Sequence, residues 1–134
     1  MEPVTASEIW DYNPGHVWIF VVRGDLDAHL ATDLRARLER ALTTDSADPL
    51  LVDLEDVTFM EASGVEVLRA ALKKARACGA VLRLVAPSAP VERVLRPTHT
   101  EGVLPIERDL ITAYARVAEA SADREKTTGF DDAA

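Results

Sequence analysis

Several function classes are missing their signatures in this sequence. The 134-residue chain has a single cysteine, Cys78, so no internal disulfide can form. That suits a reducing compartment and predicts a cytoplasmic location. There is no basic excess. Lys and Arg number 15 against 23 Asp and Glu, a net charge of −8. Nucleic acid requires clustered cations to displace its counterions, and anionic membrane surfaces select for them too, so neither partner is expected. No apolar run approaches the roughly 20 residues that cross a bilayer, which argues against membrane insertion. Met1 to Thr5 has neither a basic stretch nor an apolar core, which predicts no signal peptide. Neither Gly-x-Gly-x-x-Gly nor Gly-x-x-x-x-Gly-Lys occurs. His16, His29 and His99 are too far apart for metal-ligand spacing and read as surface or packing residues. No cofactor and no metal are called for.

What is present is a composition for one soluble globular domain, with 48% hydrophobic and 28% charged residues. A chain of this length buries roughly 68–70% of its unfolded surface, enough for one sizeable core. Glu8 to Tyr12 alternates loosely, and Asn13-Pro14-Gly15 is turn chemistry. Val17 to Val22 is a continuous β-branched and aromatic run, read as a strand buried on both faces. The two are predicted to pair as a hairpin. Leu30, Leu34, Leu38 and Ala41 recur at helical spacing, which predicts a helix over Ala28 to Leu42. Leu50 to Leu54 reads as a short buried strand, and Glu55 to Ala62 as a connection. Val65, Leu68, Leu72 and Ala75 mark a second helix, with Ser63 as N-cap and Gly79 at the left-handed position after its end. Val81 to Val85 is the next strand. A short helix follows with Val91, Val94 and Leu95, capped by Ser88 and ended by Pro97. Val103 to Ile106 reads as an edge strand, and Leu110, Ile111, Tyr114 and Val117 as the face of a last helix. Strands alternating with helices indicate an α/β fold with a mostly parallel sheet of four or five strands, an N-terminal hairpin and about four helices.

The stretch from Val52 to Val65 is the most informative. A buried strand leads to Glu61-Ala62-Ser63-Gly64 at a helix start, where unpaired N–H groups and the helix dipole favour a phosphate or an acidic group. The same residues also read as a plain cap with a glycine for close packing, and both readings stand. Ser63 lacks the Gly-x-Ser-x-Gly elbow of an acyl-transfer nucleophile, and no base adjoins it in sequence. No residue is therefore assigned as catalytic, and no enzyme is expected. Cys78 falls at a helix C-terminus, where the dipole disfavours a thiolate.

In order, Gly24-Asp25-Leu26-Asp27, the strand leading to Glu61-Ala62-Ser63-Gly64, and Gly79 to Val85 followed by Pro87-Ser88 resemble the STAS domain. Sulfate transporters and anti-sigma-factor antagonists share this module. The domain so predicted spans residues 4–120, and residues 121–134 read as a polar, disordered tail. The resemblance implies a partner: an anti-sigma factor with a serine-kinase ATPase fold. It also implies partner switching, in which that kinase phosphorylates the first hydroxyl of an Asp-Ser-Ser-Gly motif. Here that position is Ala62, which cannot be phosphorylated. The acid is kept as Glu61, one methylene longer, and the second hydroxyl as Ser63. Because the family already carries an acid there, Glu61 is no phosphate mimic.

The implied partner-binding surface comprises Asp25, Asp27, Thr58, Glu61, Ala62, Ser63, Gly64, Val65 and Glu66. Asp27, or Asp25, also reads as a cap for the first helix. Three roles follow: an antagonist that its kinase cannot switch off, one phosphorylated at Ser63 or Thr58, or an adaptor that docks without a phosphorylation cycle. Ser63 is one residue along the helix, a turn of about 100° from the usual acceptor. The adaptor role would belong to a stressosome-like or lipid-transport assembly. A remote alternative is a small anion-binding domain or enzyme using Ser63. Glu66, Arg69 and Lys73 read as a solvated face with i,i+3 and i,i+4 pairs. The first strand offers an exposed edge, leaving an antiparallel homodimer open.

Overall fold

The computed structural model describes residues 7–43, 47–95 and 106–120. The elements run β1 (Glu8–Tyr12), β2 (Trp18–Leu26), α1 (Ala28–Leu42), β3 (Leu50–Met60), α2 (Ala62–Cys78), β4 (Leu82–Val85), α3 (Ala89–Leu95) and β5 (Ile106–Glu107). A last helix, α4, covers 110–120. A single 3₁₀ turn, Pro14–His16, joins β1 to β2. The five strands lie in the order β1-β2-β3-β4-β5. β1 pairs antiparallel with β2, and every other neighbour is parallel. The expected α/β architecture, with its hairpin and four helices, is what forms.

The continuous apolar run in β2 is explained by burial on two sides. Phe20 and Val22 join Val52, Leu54, Leu82 and Leu84 in a core beneath α1, α2 and α3. Val17 and Ile19 face the other way, with Leu51 and Val85, against Ala113 and Val117 of α4. Among the described residues, one face of the sheet thus carries three helices and the other one. On that barer side, at the hairpin edge, Trp10 and Tyr12 are about half exposed, and the Arg23 guanidinium lies 5.1 Å from the Trp10 ring centroid.

β3 is longer than the sequence pattern predicts. Residues 55–60, read as part of a connection, continue the strand beside Arg23 to Leu26. The buried residues there are Leu54, Val57 and Met60, three apart instead of two. Two register shifts against β2 account for that spacing, because each bulge inserts an extra residue on the β3 side. The strand period is broken twice, so alternation fails as a signal. Two smaller expectations also shift. β4 begins at Leu82, not Val81. On α4, Ile111 is 83% exposed, and Ala113 is the buried residue in its place. Pro97, residues 103–105 of the proposed edge strand, and the 121–134 tail lie outside the described residues. Gly79 takes the left-handed conformation after α2, with φ of 76°, as its position requires.

Candidate partner-binding surface

The ends of β2 and β3 run side by side and deliver the starts of α1 and α2 to one edge of the sheet. Leu26 pairs with Met60, and the Glu61 N–H donates to the Leu26 carbonyl at 3.1 Å. This brings Asp25, Asp27, Thr58 and Glu61 together, although 33 residues separate Asp25 from Thr58. Each of these side chains has a defined partner. The Thr58 hydroxyl donates to Asp25 Oδ1 at 2.6 Å, and the Asp25 N–H donates to Ser7 Oγ at 3.1 Å. Asp27 caps its own helix, its Oδ1 accepting from the Leu30 N–H at 2.9 Å. Glu61 also caps α1, since its Oε2 accepts from the Ala28 N–H at 2.9 Å. The Glu61 carboxylate thus joins the two helix starts, a contact that the sequence separation hides.

The expected cap of α2 needs correction. Ser63 is not the N-cap; Glu61 is, and its side chain makes no bond to α2. Ser63 sits in the first turn, and its Oγ is buried with no hydrogen-bond partner among the described residues. Ala62, just before it, is exposed. The Gly64 N–H is taken up by the Glu61 carbonyl at 2.9 Å. Gly64 permits the close approach suggested by its position. A Cβ there would lie 3.0 Å from Leu26 Cδ2 and 3.1 Å from Met60 Cγ. Val65 is buried in the main core, while Glu66 is exposed on the outer side of the same turn. Of the expected surface residues, Gly64, Val65 and the Ser63 hydroxyl therefore face inward. Asp25, Asp27, Thr58, Glu61, Ala62 and Glu66 face outward.

The sequence reading overlooked Phe59. It lies opposite Asp25 in the ladder and is 51% exposed, an aromatic ring on a surface otherwise built of carboxylates and small groups. Its signal was the dipeptide Phe59-Met60. Successive strand residues point to opposite faces, and Met60 takes the buried one. Ser88 stands before α3, but its hydroxyl donates to the Val57 carbonyl at 2.6 Å and fastens the second bulge of β3. Further back on β3, burial pushes the Asp53 carboxyl above the ordinary carboxylate range, against a bond from the Glu55 N–H. Among the described residues, no cluster of three or more His, Cys, Asp or Glu is placed to hold a metal ion. No described helix is long and apolar enough to cross a membrane.

Comparison with known proteins bears on this arrangement. The STAS domain family model matches residues 11–120. A Thermotoga maritima protein, provisionally assigned as an anti-sigma factor antagonist, superposes with a TM-score of 0.74 at 22% identity, over 81% of this chain and 93% of that one. An anti-sigma factor antagonist from Mycobacterium paratuberculosis gives 0.68 at 20% identity, over 85% and 94%. The phosphorylated form of the Bacillus cell fate determinant SpoIIAA gives 0.66 at 20% identity, over 84% and 99%. At these identities the structures share the fold, and the family model covers most of the sequence. The chain belongs to the STAS domain family.

Proposed function

We propose that the chain is an anti-sigma-factor antagonist. It binds an anti-sigma factor of serine-kinase fold through the edge formed by Asp25, Asp27, Thr58, Phe59, Glu61, Ala62 and Glu66. In this reading the usual phosphoacceptor is replaced by Ala62, so the partner cannot release itself by phosphorylation. A phosphoryl group would add about −1.5 to −2 charges at the contact. The protein acts by contact, not by catalysis.

One observation carries the reading. The exposed position in the first turn of α2 holds a methyl group, and the neighbouring hydroxyl, Ser63 Oγ, is buried. The alternative acceptors fit less well. Ser63 Oγ has no access to a kinase site. The Thr58 hydroxyl is bonded to Asp25, so a phosphoryl group there would meet a carboxylate. The same buried Oγ speaks against Ser63 as a nucleophile. Phe59 supplies an apolar anchor of the kind that concentrates binding energy at interfaces.

The test is affinity capture from a lysate of the source organism, using wild type and Ala62→Ser with ATP and magnesium. Intact mass is then read on the recovered bait. Wild type is expected to retain a kinase-fold partner unmodified, whereas Ala62→Ser gains a phosphoryl group and releases it. A phosphoryl group on wild type would overturn the argument from Ala62. Failure of both forms to hold such a partner would overturn the anti-sigma reading. A stably bound ATPase–permease complex would instead identify an adaptor role in lipid transport.

A further inference from the structure

Among the described residues, two of the three arginines of the first long helix are paired, Arg40 being the exception, whereas the cations of the second are not. On α1, Arg35 pairs with Glu39 at 3.1 Å, and Arg37 with Asp33 at 3.0 Å and Asp11 at 2.6 Å. On α2, Arg69, Lys73, Lys74 and Arg76 are all exposed, and among the described residues none has an acidic partner within 4.0 Å. The expected pairing of Glu66 with this row does not form. A chain of net charge −8 thus concentrates four unpaired cations on about two turns of one helix. Three of them border a groove of about 390 Å³ lined by Arg69, Ala70, Leu72, Lys73 and Arg76. Leu72 is almost fully buried in the core, so the exposed Ala70 is the apolar part that a ligand can reach.

We infer that this face is a second interaction surface, and that its occupant is a short acidic, helical segment of a partner protein. Charge complementarity sets the sign. The groove sets the form, since an apolar side chain can lie over the exposed Ala70 while flanking carboxylates meet Arg69, Lys73 and Arg76. Length selects a peptide over a continuous polyanion. From Arg69 to Arg76 the helix rises only about 10 Å. A nucleic-acid backbone or a bilayer surface extending past the row would run onto Glu66, Glu61 and Asp27 at the other end of α2. A two-turn acidic segment ends before reaching them. This inference does not depend on the partner proposed for the α2 amino end.

The experiment uses fluorescence anisotropy with the full chain and a labelled helical peptide bearing Glu at i, i+4 and i+7 and one apolar Leu beside them. Wild type is expected to bind it, more weakly as salt rises. The variant Arg69→Glu/Lys73→Glu/Arg76→Glu is expected to lose at least about ten-fold in affinity, as three pairs of modest strength together imply. The neutral variant Arg69→Gln/Lys73→Gln/Arg76→Gln loses less, and guards against misfolding of the reversed one. Reversing Arg35 and Arg40 on α1 leaves binding within about two-fold. Replacing the peptide Leu by Ala weakens it. Equal binding by wild type and the reversed variant would overturn the inference. So would preference for a single-stranded oligonucleotide or for phosphatidylglycerol vesicles over the peptide. Self-association in sedimentation velocity that the reversal abolishes, without peptide binding, would reassign the face to a second copy of the chain.

Discussion

Two helix starts lie side by side at one edge of the sheet, and they are finished differently. The start of α1 receives two carboxylates, from Asp27 and from Glu61. Among the described residues, the start of α2 receives no side-chain cap, although Glu61 is its own N-cap residue. Both ends carry the same unsatisfied N–H groups and the same partial positive charge. The difference is therefore in the side chains, not the backbone. One end is closed and stabilised from within the chain. The other has no side-chain cap among the described residues, and the exposed Ala62 stands in its first turn. That division of labour suits a surface held rigid on one side and kept free on the other.

The largest way to break the comparison lies beneath both ends. Leu26 is fully buried and touches the Cα side of Gly64. Leu26→Ala should cost about 2–5 kcal/mol in urea unfolding. Gly64→Ala should cost about 1–3 kcal/mol in wild type, through overpacking, and clearly less in the Leu26→Ala background. Additive losses would mean that the close approach is not the reason for the glycine.

Caps come next. Asp27→Ala should lose about 1 kcal/mol, a shift of several degrees in Tm. Glu61→Ala should lose a similar or smaller amount, about 0.5–1 kcal/mol, because the site is exposed. Glu61→Asp, one methylene shorter, should recover little of it. A Glu61→Ala variant as stable as wild type would mean that the contact with Ala28 contributes nothing.

Ser63→Ala sharpens the contrast. A true N-cap serine would cost about 1 kcal/mol to remove. A buried hydroxyl without a partner should cost nothing, so the change is expected to stay within about 0.5 kcal/mol or to stabilise slightly.

Another small effect belongs to a carboxylate away from any helix start. Burial raises the Asp53 carboxyl above its ordinary range. Its folded value exceeds its unfolded one, so ionised Asp53 opposes folding at neutral pH. That penalty fades as pH falls through the raised value toward the ordinary one. Asp53→Asn should therefore raise the urea midpoint slightly at neutral pH, and the gain should disappear in mild acid. A gain unchanged by pH would assign it to another cause.

The sequence told the two ends apart only in part. The periodicity of Leu30, Leu34 and Leu38 located α1 over Ala28 to Leu42, and Asp27 was legible as its cap because a cap acts within three residues. Glu61 was not legible as a second cap, since its target lies 33 residues away in sequence. Ser63 was misread as a cap because the motif of a hydroxyl before an apolar helix says nothing about where the helix begins. The continuation of β3 through Met60 was hidden by two bulges, which turn a period of two into a spacing of three. On α2 the row Glu66, Arg69 and Lys73 was visible, but the lack of acidic partners for its cations among the described residues, and the addition of Arg76 to them, depend on rotamers and neighbours.

Element order, the double burial of β2, the end of α2 at Gly79 and the loss of the hydroxyl at Ala62 were determined by the sequence itself. Each rests on local stereochemistry or on the identity of one residue. Only the tertiary structure decided which face Ser63 turns to, what Glu61 holds, and that Phe59 stands exposed beside Asp25. Those depend on the register between β2 and β3, and register is a property of two strands that no single stretch of sequence contains.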